Sequence, residues 1–402
     1  MRAALAHARR GGPRALAQRA MQSAAVKEAT QLLPATQRLI DGVLQGNRTA
    51  LSRSITLGSL LLRTPVESTL KRDERQAELL LDAVLAKRRA ATPATAEFKG
   101  LPTFRLGIAG PPGAGKSTFI ETLGALLTDK GHKVAVLAID PSSSRSGGSI
   151  LGDKTRMEKL SNNPNAFVRP SPSRGTLGGV AQHTNDIVLL CEAGGYDIVL
   201  VESVGLGQSE IVIDDTVDMV MLLVPPAGGD ELQGYKKGIV EIADMIVVNK
   251  ADGELAMSGI AFAVAGDSVT DLPAKHTAVD YMHGLHLMRP KDPDWTPQVK
   301  MCSARENKNI DKVWGVVEEY RTNMNQLNKI AFKRNKQSSK WMWNQLNEQL
   351  MRSVSRSPSV RQKAEAMNND LTRGFISPRS AAAAVLDLFL SSQQGVNGAG
   401  ES

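Results

Sequence analysis

"GPPGAGKST", Gly110–Thr118, closes the apolar run "FRLGIAG" and opens the segment "STFIETLGALLTDKG". It matches G-x-x-x-x-G-K-[ST] with Gly110, Gly115, Lys116 and Ser117. Glycines at this spacing let consecutive backbone N–H groups turn inward into an anion nest. A helix starting at the lysine adds its positive N-terminal end. Lys116 then reaches the β- and γ-phosphates, and the Ser117 hydroxyl ligates Mg²⁺. Pro111, Pro112, Gly113, Ala114 and Thr118 complete the predicted cradle. The motif requires a strand before it and a helix after it, and the flanking runs supply both.

Working outward, the pattern between about 102 and 315 alternates. Short apolar runs occur at "FRLGIAG", "KVAVLAID", "YDIVLVES", "DMVMLLVPP", "DMIVVNK" and "VKMCSA", with longer segments between them. Continuous apolar runs indicate strands buried on both faces, hence a mostly parallel sheet with helices on each side. Ligands in such sheets bind at the carboxyl ends of the strands. The chemistry-bearing residues do follow those runs. Asp140 ends "VAVLAID", where a carboxylate holds the metal directly or through water. Glu202 ends "DIVLVE", with Gly205 three residues later. That acid-to-glycine spacing fits a γ-phosphate sensor, the acid on Mg²⁺ and the glycine amide on phosphate.

"NKAD", Asn249–Asp252, decides the base. Guanine offers N1–H and N2–H₂ side by side, and one carboxylate, Asp252, accepts both. Adenine would leave that acid buried and unpaired, a mismatch that rejects the wrong partner by about 10⁴-fold. Asn249 is placed to tie this loop to the phosphate loop, and the Lys250 stem to cover the base. "CSAR" follows the last apolar run, with Ser303, Ala304 and Arg305 beside the base and the Ala304 amide facing guanine O6. The expected ligands are therefore GTP or GDP with Mg²⁺. Lys116 and Glu202 are the expected catalytic groups, with Lys154 as a third candidate. Lys154 and Arg156 in "GDKTRM" are either mobile charge stabilisers or plain surface charge. Leu206 stands where signalling GTPases place a water-orienting glutamine, so intrinsic hydrolysis is expected to be slow.

The chain has 402 residues, 42% hydrophobic and 4% aromatic, with a net charge of +8. Six of those eight charges lie in residues 1–27, which hold five Arg, one Lys and no acid. A nucleic-acid face places its charge on a folded surface. An Arg- and Ala-rich, acid-free terminal tail reads as a mitochondrial (matrix) transit segment. No run approaches the roughly 18 apolar residues of a membrane-spanning helix. Cys191 and Cys302 stand far apart, without neighbours at metal-ligand spacing. None of the six histidines has an Asp two residues before it, so the base-off cobalamin signature is missing. The organisation predicted is a tail over 1–34, an N-terminal helical segment over 35–100, a P-loop domain over 101–320, a C-terminal helical arm over 321–390 and a flexible end over 391–402.

"GPPGAGKSTFIE", "AIDPSSSRSGGSILGDKTRM", "RPSPSRGTLGG", "VESVGLGQSE" and "NKADG" together resemble the MeaB-type mutase-associated GTPase chaperones. That group includes the methylmalonic aciduria type A proteins. The likeness extends to "VLQGNRTALSRSITL", "WMW" and "SPRSAAAAVLDLF", covering about residues 37–390. It implies a homodimeric GTPase that gates adenosylcobalamin delivery to methylmalonyl-CoA mutase and protects that enzyme. It also implies an adenosyltransferase as a possible further partner and mobile loops at 141–157, 203–210 and 225–239. The stretch near 257–276 looks like an insert. Two other classes remain to be separated: a transport-linked ATPase or kinase for basic amino acids, against which "NKAD" speaks, and an RNA- or ribosome-associated GTPase, favoured only by basic C-terminal helices.

Overall fold

The structure is a computed structural model and describes residues 32–59, 67–91, 103–140, 157–172, 177–203, 213–226, 237–252 and 272–397. The tail up to 31, the linker at 92–102, the predicted mobile loops for most of their length and the apparent insert up to 271 lie outside the described residues. Contacts divide the chain into two compact units, 1–334 and 335–402.

The first unit is built on seven strands: β1 (Phe104–Ala109), β2 (Val134–Asp140), β3 (Ala166–Pro172), β4 (Ile198–Glu202), β5 (Met219–Val224), β6 (Met245–Val248) and β7 (Gln298–Met301). Their order is β3-β2-β4-β1-β5-β6-β7, and every pairing is parallel. Six strands fall on the six apolar runs. β3 is the addition. It carries Pro170 and Pro172, which cannot donate to a ladder, and it lies at the sheet edge, where Pro is tolerated.

Alternation along the strands feeds two faces. Phe104, Leu106 and Ile108 of β1, with Ile198 and Leu200 of β4, join a core under α4 (Lys116–Asp129) and α9 (Ile310–Gln326). Val199 and Val201 of β4, with Ala135 and Leu137 of β2, join the opposite core under α6 (Leu177–Ala193). That second face is extended by α1 (Pro34–Leu44), α2 (Arg48–Ser59) and α3 (Glu67–Ala91), which bury Ile40, Val43, Leu51, Ile55, Leu80 and Val84. The remaining helices of the unit are α5 (Glu158–Asn162), α7 (Lys237–Ile242) and α8 (Leu272–Leu287).

The second unit holds most of α10 (Lys329–Arg356), then α11 (Pro358–Thr372) and α12 (Pro378–Asn397). Pro358 and Pro378 open their helices, where a missing N–H costs nothing. α11 and α12 pack together, with Val360, Ala381 and Phe389 buried. Met342, Trp343, Leu346, Leu350 and Met351 of α10 stay 42–63% exposed.

Candidate nucleotide site

The phosphate loop leaves β1 at Ala109 and enters α4 at Lys116. Two glycines make the turn possible. Gly110 has φ +151°, and a Cβ there would lie 2.0 Å from the Leu223 carbonyl oxygen. Gly115 has φ +87°, and a Cβ there would lie 2.7 Å from Nδ2 of Asn249. Each position therefore admits only glycine. The buried Lys116 folds back over the loop, its Nζ donating to Gly110 O at 2.8 Å and Pro111 O at 3.2 Å. These carbonyls hold the ammonium at the mouth of the cradle.

Ser117 and Glu202 are brought together although 85 residues separate them. The Ser117 hydroxyl donates to Glu202 Oε1 at 3.1 Å. β4 lies between β1 and β2, so Glu202 reaches the strand ends level with Ile108 and Ala138. Asp140 ends the adjacent strand β2. The Asp140 side chain lies outside the described residues, and the Ser117 hydroxyl and Glu202 carboxylate are oxygen ligands of the kind Mg²⁺ takes. Gly205 and Lys154 lie outside the described residues, as do Arg156 and Leu206.

Asn249 is the joint between phosphate loop and base loop. It is 2% exposed. Its Nδ2 donates to Ala114 O at 2.9 Å, and its Oδ1 accepts from Ala304 N–H at 3.0 Å. The tie to the phosphate loop is the one expected from "NKAD". The Ala304 N–H, read as facing guanine O6, is taken up by Asn249 in this structure. Lys250 adopts the left-handed region at φ +59°, which lays its stem along Gly115. Asp252 is 9% exposed, in the turn next to Lys250. Burial, with Asp252 beside it, pushes the Cys302 thiol up to about 12, so this cysteine stays a neutral small side chain. Ser303 is buried and its Oγ accepts from Glu306 N–H at 3.1 Å, while Arg305 is exposed.

Sequence reasoning passed over Thr122. Its hydroxyl reaches Ala304 O at 2.9 Å from the second turn of α4. A threonine on a helix carries no local signal of such a role; only the folded contact exposes it.

Residues 61–359 match the family described as methylmalonyl Co-A mutase-associated GTPase MeaB. A mouse protein named methylmalonic aciduria type A homolog, mitochondrial, is 44% identical over 88% of this chain and 79% of its own length. The GTPase ArgK of Escherichia coli strain K12 is 42% identical over 76% of this chain and 82% of its own. Among solved structures, one described as LAO/AO transport system kinase superposes with a TM-score of 0.62 at 30% identity. That likeness covers 90% of this chain and 99% of the other.

Proposed function

The chain belongs to the MeaB family of mutase-associated GTPases, and from that premise we propose that its GTP cycle times the loading of adenosylcobalamin into methylmalonyl-CoA mutase and protects the loaded enzyme. GTP hydrolysis is the activity in the family's name. The observation that carries the guanine assignment is the place of Asp252, 9% exposed in the turn that Asn249 ties to the phosphate loop. Guanine N1–H and N2–H₂ offer that carboxylate two donors side by side, where adenine has no N1–H, which favours guanine over adenine.

In this reading Lys116 neutralises the β- and γ-phosphates and Gly205 senses the γ-phosphate. Asn249, Lys250, Asp252 and the 303–305 loop hold the base. Ser117, Asp140 and Glu202 hold Mg²⁺, which when bound offsets charge developing on the phosphate oxygens. With leucine at 206, the attacking water lacks an orienting amide. Hydrolysis then waits for a conformation that the mutase stabilises, with Lys154 as a candidate charge partner. Cobalamin itself is handled by partners, the mutase and an adenosyltransferase among them. The protein acts as a homodimer in the mitochondrial matrix; the mitochondrial name of the mouse relative and the acid-free tail support that location. The five segments read from the sequence serve as tail, helical cap, GTPase domain, dimer arm and flexible end.

The name of the 30%-identical solved structure favours a second reading, a transport-linked kinase. Steady-state hydrolysis titrated with purified mutase separates the two. GTP turnover should rise at least several-fold with mutase, ATP should be a poor substrate, and Asp252→Asn should shift preference toward xanthosine triphosphate. ATP turnover equal to that of GTP, or a rate indifferent to mutase, overturns the reading.

A further inference from the structure

We propose that Thr122 is a positioning residue for guanine recognition, holding the Ala304 peptide against the phosphate-binding helix so that base loop and phosphate loop keep one spacing. The proposal rests on the reading of 249–252 and 302–305 as the guanine site.

The loop after β7 is well fixed in its own shape. Ser303 and Lys308 exchange backbone hydrogen bonds at 3.1 and 2.9 Å, and Asn307 and Asn309 take left-handed φ values of +54° and +62°. Ala251 N–H donates to Cys302 O at 3.0 Å, which joins this loop to the "NKAD" turn. None of these bonds sets the distance from the two base loops to the phosphates. That distance is set by side chains crossing to the phosphate loop and α4. Asn249 crosses first, on Ala114 O and Ala304 N–H. Thr122 crosses second, on the other end of the same residue's backbone, Ala304 O.

The Thr122 hydroxyl has one proton and two acceptors in reach, Ala304 O at 2.9 Å and Thr118 O at 3.0 Å. Thr118 O stands at the i−4 position, where the helix ladder already supplies an N–H. Ala304 O is outside any helix, so the proton does more there. Ala304 is therefore gripped at its N–H by Asn249 and at its C=O by Thr122. Its side chain is buried in the core that also takes Ala114 and Phe119. A nucleotide spanning both loops depends on this grip, because its base and phosphates are held by different segments. Adenine, which Asp252 does not recognise, gains little from it.

The test uses the full chain. Thr122→Val keeps the shape and removes the hydroxyl; Thr122→Ser keeps the hydroxyl. Release of a fluorescent GDP and affinities for GDP and ADP are measured on the wild type and both variants. One net hydrogen bond corresponds to about three- to tenfold in affinity. GDP release from the valine variant should quicken by about that factor, GDP-over-ADP preference should fall with it, and serine should restore both. Wild-type release from the valine variant overturns the proposal. So does equal weakening of GDP and ADP, the mark of a merely structural role. A wild type that holds ADP as tightly as GDP overturns the guanine reading itself and the Thr122 role with it. A guanine-selective wild type with an unaltered valine variant overturns Thr122 alone.

Discussion

Asp186 lies on α6, and burial pushes its carboxyl up to about 7. An unfolded aspartate titrates near 3.9. Between about pH 4 and pH 7 the folded state thus keeps a proton that the unfolded chain has released. Stability falls as pH rises through that window and levels off above it. Asp186→Asn removes the linkage. Its melting temperature should match wild type near pH 4, exceed it increasingly up to about pH 7 and keep that margin above, by thermal unfolding across that range; a constant difference throughout would contradict it. Nothing in "TNDIVLL" marks this acid, because its environment comes from residues distant in the chain. The positive-φ turn at Gly110 and the Asn249 bridge to the phosphate loop were legible for the opposite reason. Their roles follow from backbone geometry and donor patterns carried within a few consecutive residues, so spacing alone exposes them. The Ser117–Glu202 contact lies between these cases: each residue was legible, and the parallel sheet was needed to infer that they meet.

At the scale of elements, continuous apolar runs located the central strands, while the edge strand β3 escaped because its sequence AFVRPSP, with an arginine and two prolines, has no such run. The N-terminal helices show a related limit. Their apolar periodicity was plain, but Gly46, at φ +73°, breaks the first stretch, and Asn47 Oδ1 caps α2 by accepting Thr49 and Ala50 N–H at 2.9 and 3.0 Å. The start of α10 is set by a feature no local pattern predicts. Arg334 donates to both carboxylate oxygens of Asp218, at 2.7 and 2.6 Å, and to Thr103 O at 2.7 Å. Arg105 adds its N–H to Asp218 and its Nε to Glu192. Burial alone would raise the Asp218 carboxyl, but Arg334 and Arg105 outweigh it and hold it below the ordinary carboxylate range. Arg334→Leu strands a fully buried acid. Breaking one side of such a pair costs about 3–5 kcal/mol. Without its cation Asp218 favours the protonated form, so the loss should be larger at pH 8 than at pH 5. Urea unfolding at both values checks this; an equal, small loss at both would show that the pair contributes little.

At the scale of the whole molecule, the two units differ in how they dispose of apolar surface. The first buries its central strands β1, β4, β5 and β6, though Leu287, Leu327 and Phe332 stay exposed. The second leaves Trp343, Leu346 and Leu350 exposed at 57%, 42% and 48%. Their spacing of three and four residues puts them on one stripe of α10, the pattern of a helix seam that closes against another helix. Phe375 and Leu390 remain exposed as well, at 75% and 52%. Monomeric proteins rarely leave contiguous apolar patches of this kind uncovered. Homo-oligomers most often close such a surface by two-fold symmetry, each copy presenting the same patch. If α10 closes a homodimer, the chain should sediment with twice the monomer mass at micromolar concentration. Leu346→Glu with Leu350→Glu places two like charges on the stripe of each copy, four across a two-fold seam. That variant should sediment as a monomer while still binding GDP, since both positions lie outside the first unit. A wild type that sediments as a monomer, or a variant that keeps the wild-type mass, would place the seam elsewhere.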